Sequence, residues 1–253
     1  MKITFLGTGT SQGVPVIGCN CEVCQSDDER DKRLRTSVLI EKEDKTIVID
    51  SGPDFRQQML RADVKNLTAV LFTHQHKDHV AGLDDVRAFN YIHKRKIDVY
   101  AERRVQKALK REFAYIFAVY SYPGIPKIKM HRIDENPFEI EGIKIEPVRL
   151  MHHKLPILGF KIENFAYLTD VKTIPEKEFK KLENTDYLVI TALRKEKHIS
   201  HMNLEEALHV IERIKPANAF LIHMSHKFGL HAKEELLLPK NVRIAYDGLA
   251  IEI

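Results

Sequence analysis

Between Thr73 and His79 the chain sets three imidazoles and a carboxylate, His74, His76, Asp78 and His79, directly after the apolar run Ala69-Val70-Leu71-Phe72. Residues two apart at the end of a strand point to the same side, so His74 and His76 can grip one cation together. Asp78 and His79 need the chain to turn first, and they can then serve a second cation beside the first. Nitrogen and oxygen donors of this kind suit Zn²⁺ or Mn²⁺, and residue type alone does not choose between them. The competing reading is a surface histidine cluster.

Positioning such donors calls for strand ends gathered at one rim. Ile3 to Leu6 reads as a first strand, followed by a glycine loop from Gly7 to Gly13 that lacks the Gly-Lys-Ser/Thr ending of a phosphate loop. Asp27 to Arg35 reads as a solvated connection. Ser37 to Ile40 and Thr46 to Ile49 read as a hairpin around Glu41 to Lys45, and Ala69 to Thr73 as the buried strand that delivers the histidines. Phe55 to Ala62, Gly82 to Lys94 and Glu102 to Ala118 carry apolar residues at helical spacing, with a strand at Ile97 to Tyr100 between the last two.

From Lys127 to Leu168 the apolar period falls to two, the pattern of antiparallel strands, with a turn at Glu141-Gly142. Helices return at Pro175 to Leu182 and Asn203 to Ile214, each leading into an apolar strand, Tyr187 to Thr191 and Ala219 to Ile222. Val242 to Tyr246 and Leu249 to Ile253 close the chain. Strands flanked by helices in both halves predict an α/β (α+β) fold with two sheets face to face and helices outside, a four-layer αβ/βα sandwich.

Two hydrolytic cations need more than four ligands, and a bridging carboxylate is the natural way to hold ions roughly 3.5–4 Å apart. Three further donors follow apolar runs at points where a strand would leave the core: His152 after Ile145 to Met151, Asp170 after Tyr167 to Thr169, and His223 after Phe220 to Ile222. His153 competes with His152 for the same part. Asp50 and Asp247, each followed by a turn, are candidates to orient imidazoles from behind, with turn capping as the alternative for both. His93, His131, His209 and His231 read as ordinary solvated or core side chains.

Of 253 residues 43% are hydrophobic and 30% charged, a balance that excludes a disordered chain and fits a soluble enzyme of one domain, residues 1–253. The net charge of +4 allows a nucleic-acid partner without demanding one. No apolar run approaches the roughly 20 residues of a membrane helix, and the opening breaks at Gly7 too early for a signal peptide, so the expected location is the cytoplasm. All three cysteines fall within Cys19 to Cys24, which favours metal ligation over disulfides.

The H-x-H-x-D-H string with its strand-end partners resembles the metallo-β-lactamase superfamily of binuclear metallohydrolases. Gly7-Thr8-Gly9-Thr10, the cysteine knuckle and His223-Met224-Ser225-His226 are similar, within that superfamily, to the cyclic phosphodiesterase family of the carbon–phosphorus lyase pathway. The resemblance implies that His74, His76 and His152 hold one ion, that Asp78, His79 and His223 hold the other, and that Asp170 bridges them. His201, in Ser200-His201-Met202-Asn203, resembles the family's histidine that protonates the leaving oxygen, with His198 as the near alternative; Asp78 is counted with His201 among the catalytic residues. His226 would complete a Cys₃His site with Cys19, Cys21 and Cys24, a closed and therefore structural zinc site at about residues 19–24.

The expected function is a binuclear phosphodiesterase in which a hydroxide shared by the two ions attacks phosphorus in line and His201 protonates the departing oxygen. The resemblance points to small substrates, ribosyl 1,2-cyclic phosphate or 2′,3′-cyclic nucleotides, and to two divalent ions, Zn or Mn, plus one structural Zn. A homodimer is compatible with this reading, and a nucleic-acid partner is not expected. The rivals are a tRNA 3′-processing type of endonuclease and, outside enzymes, a zinc-knuckle nucleic-acid-binding protein. The first lacks an inserted Gly- and Lys-rich arm here, and the second has no use for seven hydrolytic ligands.

Overall fold

Two seven-stranded sheets face each other in the computed structural model, which describes residues 1–118 and 122–253. The first half lays down β1 (Lys2–Gly7), β2 (Ser37–Lys42), β3 (Lys45–Ile49), β4 (Ala69–Leu71), β5 (Ile97–Glu102) and β6 (Ile128–Ile133). The second contributes β7 (Phe138–Ile140), β8 (Ile143–His152), β9 (Leu155–Ile162), β10 (Phe165–Leu168), β11 (Tyr187–Thr191), β12 (Asn218–Ile222) and β13 (Val242–Ile244). A last strand, β14 (Ala250–Glu252), crosses back to pair antiparallel with β1. The orders are β14-β1-β2-β3-β4-β5-β6 and β13-β12-β11-β10-β9-β8-β7.

Side chains alternate across each strand, and in the central strands, β4 and β10 above all, both faces are buried. Ile47 and Ile49 of β3 and Phe220 and Ile222 of β12 enter the space between the sheets, where Phe5 and Phe220 meet with ring centroids 5.4 Å apart. Their neighbours Val48 and Leu221 turn outward beneath the helices. The helices are α1 (Phe55–Arg61), α2 (Lys77–Val80), α3 (Arg87–His93), α4 (Arg103–Glu112), α5 (Leu204–Ile214) and α6 (His231–Glu234). The four-layer sandwich expected from the sequence is thus the observed architecture. Among the described residues no helix is long and apolar enough to cross a membrane.

β3, β4, β5 and β6 run parallel, as do β10, β11, β12 and β13, and β8 runs antiparallel to β9, which is antiparallel to β10. The carboxyl ends of β8, β10 and β12 therefore share one rim, where open α/β sheets collect their ligands. Arg149 of β8 ties that sheet to the other: its guanidinium grips Glu102 of β5 at 2.5 and 3.1 Å and Glu135 at 3.0 Å. Arg149→Ala strands two carboxylates around a half-buried gap, and we expect a loss of about 2–3 kcal/mol in urea unfolding, well above the worth of a surface pair. A loss below about 0.5 kcal/mol would show that the clamp adds nothing to stability.

Three expectations need correction. Asp27 to Arg35 is not simply solvated, because Asp31 and Arg33 are buried. Arg33 donates to Thr8 Oγ1 at 2.8 Å and Ala245 O at 2.6 Å, and Asp31 accepts from the His231 amide at 2.8 Å, so burial of both charges is satisfied by hydrogen bonds. Residues Glu176–Leu182 form a 3₁₀ rather than an α-helix. The expected helix from Gly82 splits into a 3₁₀ turn, Leu83–Val86, and α3.

Candidate active site

The motif leaves β4 through Phe72 and Thr73, and α2 begins at Lys77, so the turn needed to bring Asp78 and His79 beside His74 and His76 is made. Glycine permits it. A Cβ on Gly52, in the loop after β3, would lie 2.1 Å from the carbonyl oxygen of Asp78, and one on Gly82 would lie 2.1 Å from that of Gly52. Asp50, Asp170 and His223, each one or two residues beyond a strand, all adopt the left-handed backbone conformation, with φ of 65°, 56° and 56°. Non-glycine residues pay for that conformation in strain, and it turns the chain at all three of these strand exits.

All seven expected donors converge there. Asp170 Oδ2 lies 3.2 Å from His79 Nε2, and its Oδ1 lies 3.2 Å from His223 Nε2. Asp78 Oδ2 lies 3.2 Å from His79 Nε2 and 3.8 Å from His223 Nε2. On the other side the rings of His74 and His76 are 4.5 Å apart, and His152 is 5.8 and 5.1 Å from them. His152, not His153, faces the cluster: the former is buried, whereas His153 is exposed in the β8–β9 turn. His201 Nε2 lies 3.1 Å from Asp170 Oδ1, while His198 touches His201 rather than the donors.

Partners behind the rings decide which nitrogen looks inward. His79 donates through Nδ1 to Asp50 Oδ2 at 2.7 Å, and His152 donates through Nδ1 to Ser200 O at 2.8 Å. Thr73 Oγ1 donates to Asp50 Oδ2 at 2.8 Å and so accepts from His74 Nδ1 at 3.0 Å. Among the described residues the Nε2 atoms of His74, His79 and His223 are buried and have no well-aligned hydrogen-bond partner. Buried polar atoms left open in this way are rare, and the two on His79 and His223, each 3.2 Å from an Asp170 oxygen, fit a site for cations. Asp50 thus takes the orienting part considered for it. Asp247 does not: it accepts from Thr8 Oγ1 and the Leu34 amide, both at 2.8 Å, and braces the N-terminal loop.

The electrostatics agree with that fit. Burial alone would raise the Asp170 carboxyl, but the His223 and His79 imidazoles hold it well below the usual carboxylate range. Burial likewise opposes a charge on His79, yet Asp170, Asp50 and Asp78 hold its pKa well above the usual imidazole value. The field that favours a proton there equally favours a divalent cation. Burial pushes His74 well below its ordinary value and His152 down to about 4, which leaves both in the neutral form that ligates metal.

The cysteines gather as expected. Cys19, Cys21 and Cys24 place Sγ at 3.2, 3.4 and 3.5 Å from His226 Nδ1, and the four donor atoms lie within 4.8 Å of one another. A cleft of about 360 Å³ opens onto the donors, lined by His76, Asp78, Asp170 and His201 together with Ser11, Arg194 and Lys227. A larger groove, about 620 Å³ between α5 and β13, lies apart from them. Sequence reasoning missed Thr73, Gly52 and the Ser200 carbonyl. Thr73 had a signal, since it adjoins the motif, whereas a backbone oxygen brought in from 48 residues away leaves none.

Residues 45–224 match the family model of the β-lactamase superfamily domain, and the chain belongs to that superfamily. It is 38% identical to a solved structure described as a new diphosphatase from the PhnP family, covering 100% of this chain and 97% of that one with a TM-score of 0.93, and is close to that family. An octanoyltransferase of Porphyromonas gingivalis is 44% identical over 252 residues, 98% of this chain and 51% of that protein. A ribonuclease Z of a Nostoc species is 25% identical over 166 residues, 64% of this chain and 46% of that protein. The chain thus spans about half the length of the curated relatives it matches.

Proposed function

We propose that the chain is a binuclear metal-dependent phosphodiesterase, its residues 1–253 forming one hydrolase domain. His74, His76 and His152 hold one cation, Asp78, His79 and His223 the other, and Asp170 stands between them. The observation that carries this reading is the convergence of buried imidazoles, His79 and His223 each with Nε2 3.2 Å from an Asp170 oxygen and His74 with a buried Nε2 left open beside His76 and His152. When bound, the two cations supply a water of lowered pKa and neutralise charge on the phosphoryl oxygens. Zn and Mn both suit the donors.

The chain's own residues do the rest. Asp50 and the Ser200 carbonyl fix the tautomers of His79 and His152, so that no reorientation accompanies turnover. His201, on the cleft wall, donates a proton to the leaving oxygen, and Asp78 holds its place as ligand and orienting carboxylate. Substrates are small cyclic or linear phosphodiesters, ribosyl 1,2-cyclic phosphate or 2′,3′-cyclic nucleotides among them. Octanoyl transfer is said of a relative twice this chain's length, and hydrolysis is the chemistry that seven such donors favour. The test is turnover of small phosphodiesters, thioesters and precursor tRNA by the metal-loaded protein. Turnover of the small diesters alone is the expected result, and cleavage confined to tRNA or to thioesters would overturn the assignment.

Cys19, Cys21, Cys24 and His226 form a separate, structural zinc site in this reading. Backbone hydrogen bonding at Cys24 holds the Cys21 thiol below its ordinary value, whereas burial pushes the Cys24 thiol up. Cys21→Ala is expected to lose one zinc and about 2–3 kcal/mol, which lowers Tm by about 5–10 °C at this chain length. The chemical step on a small ester should change less than threefold. Unchanged zinc content and Tm would remove the structural role.

A further inference from the structure

The net charge of +4 conceals a division. Between Arg87 and Arg132 stand twelve Lys and Arg against three Asp and Glu, net +9, so the remaining 207 residues carry net −5. The three acids of the basic segment are already engaged: Asp98 with His131 at 2.5 Å, Glu102 with Arg149 at 2.5 Å, and Glu112 with Lys77 at 2.9 Å. Two of those partners, Arg149 and Lys77, come from outside the segment, so its own cations stay largely uncompensated.

The fold gathers these cations on one side. Arg103, Arg104, Lys107, Lys110 and Arg111 are all exposed, and at 100° per residue they fall within an arc of about 120° on α4. Val105, Ala108 and Leu109 bury the opposite face against β5 and β6. Among the described residues only Arg111 of the five has a carboxylate within reach, Glu112 at 4.0 Å. Beside the helix, β6 is the edge strand of its sheet and carries exposed Lys129 and Arg132.

Next to that edge, between α3 and the start of β6, lies a pocket of about 460 Å³ lined by Arg87, Lys94, Arg95, Lys96 and Lys127, with Tyr91 in its wall. Of these cations only Arg87 meets a carboxylate, Asp84 at 3.3 Å, among the described residues. Asn90 holds the frame, donating to the carbonyls of Arg95 and Lys127 and accepting from the Lys127 amide, each at 2.8 Å. Tyr91 and Tyr122 are 63% and 78% exposed, which is costly for aromatic rings and leaves two π-faces free at the border of the basic surface.

Against the expectation drawn from the small net charge, we propose that this face is a docking surface for a single-stranded nucleic acid. α4 and the β6 edge hold its phosphates, and the pocket with Tyr91 takes an unstacked nucleotide. A row of uncompensated cations beside exposed aromatic rings is the arrangement that tracks a backbone and stacks its bases without reading sequence. A concave, cation-lined pocket suits a phosphate and base better than it suits a planar lipid surface. The Lys77–Glu112 pair puts the end of α4 beside the turn of the histidine motif, so a strand docked here passes close to the cleft.

The test is fluorescence anisotropy of a labelled, unstructured RNA about 15 nucleotides long with the full-length, metal-loaded protein, at salt from about 50 to 200 mM. Binding is expected at the lower salt and should weaken with a log–log slope of about −0.7 per phosphate held. Arg104→Glu with Lys107→Glu should weaken it at least about tenfold and flatten the slope, while Tyr91→Ala should weaken it about fivefold or more at unchanged slope. Neither variant touches the metal cluster, and both should hydrolyse bis(p-nitrophenyl) phosphate at the normal rate, so failure of the docking surface and failure of the hydrolytic reading are told apart. No RNA binding at the lower salt, or equal binding by the charge-reversed variant, would overturn the proposal. So would patch-dependent sedimentation with phosphatidylserine vesicles in the absence of RNA binding, which would assign the face to a membrane surface.

Discussion

Asp170→Asn is expected to release at least one of the two active-site cations and to slow phosphodiester hydrolysis by at least about 10³-fold, because several kcal/mol of cation binding and charge stabilisation depend on that carboxylate. The substitution keeps shape and removes charge. Each Asp170 oxygen faces a different imidazole at 3.2 Å, Oδ2 toward His79 and Oδ1 toward His223, whereas Asp78 approaches both through the single oxygen Oδ2, at 3.2 and 3.8 Å. The side chain is 2% exposed, and water cannot replace the lost oxygen anion. Metal analysis should find the cysteine-bound zinc retained, and the far-ultraviolet spectrum should be unchanged, which separates loss of the site from loss of the fold. A variant that kept both ions and more than about a tenth of the rate would show that Asp170 does not bridge them.

His201→Ala should lower the rate on a diester with a poor leaving group by roughly 10²–10⁴-fold and on bis(p-nitrophenyl) phosphate far less, since a nitrophenolate departs without protonation. The geometry makes this measurement decisive. His201 Nε2 lies 3.1 Å from Asp170 Oδ1 and within ligand distance of the same centre as His152, so a proton donor and an extra metal ligand would occupy the same place. A donor leaves metal content intact when removed, whereas a ligand takes ions with it and slows both esters alike. His198→Ala is the internal control, because its ring meets His201 but not the donors. Equal losses on the two esters, or a larger loss from His198→Ala, would move the proton-donor role away from His201.

Much of this site could be read in the chain because its parts are local. An H-x-H-x-D-H string after an apolar strand needs only the period of a strand and one turn to become a two-sided cluster, and Ala69–Leu71 followed by Lys77–Val80 is that arrangement. His152, Asp170 and His223 were legible for the same reason, each directly or almost directly beyond an apolar run that proved to be a strand. The Cys₃His set was the longest reach. Its thiols are close in sequence, but His226 meets Cys19 across 207 residues, and what paired them was the need of three thiolates for a fourth donor and the place of His226 three residues beyond His223.

What the sequence left open was whatever depends on two elements meeting. The choice between His152 and His153 came down to the left-handed turn at His153, with φ of 53°, which faces one imidazole inward and leaves the other in solvent. The separate parts of Asp50 and Asp247, alike in sequence, followed from what the sheets bring to them: an imidazole and a threonine for the first, a loop amide for the second. The burial of Arg33 and the basic face of α4 beside the motif were also invisible, because a charge run looks the same whether it faces water, a carbonyl or a partner. Periodicity reports which side of an element is apolar; the neighbour on that side is set by strand order across two sheets, and here that order assembled the site.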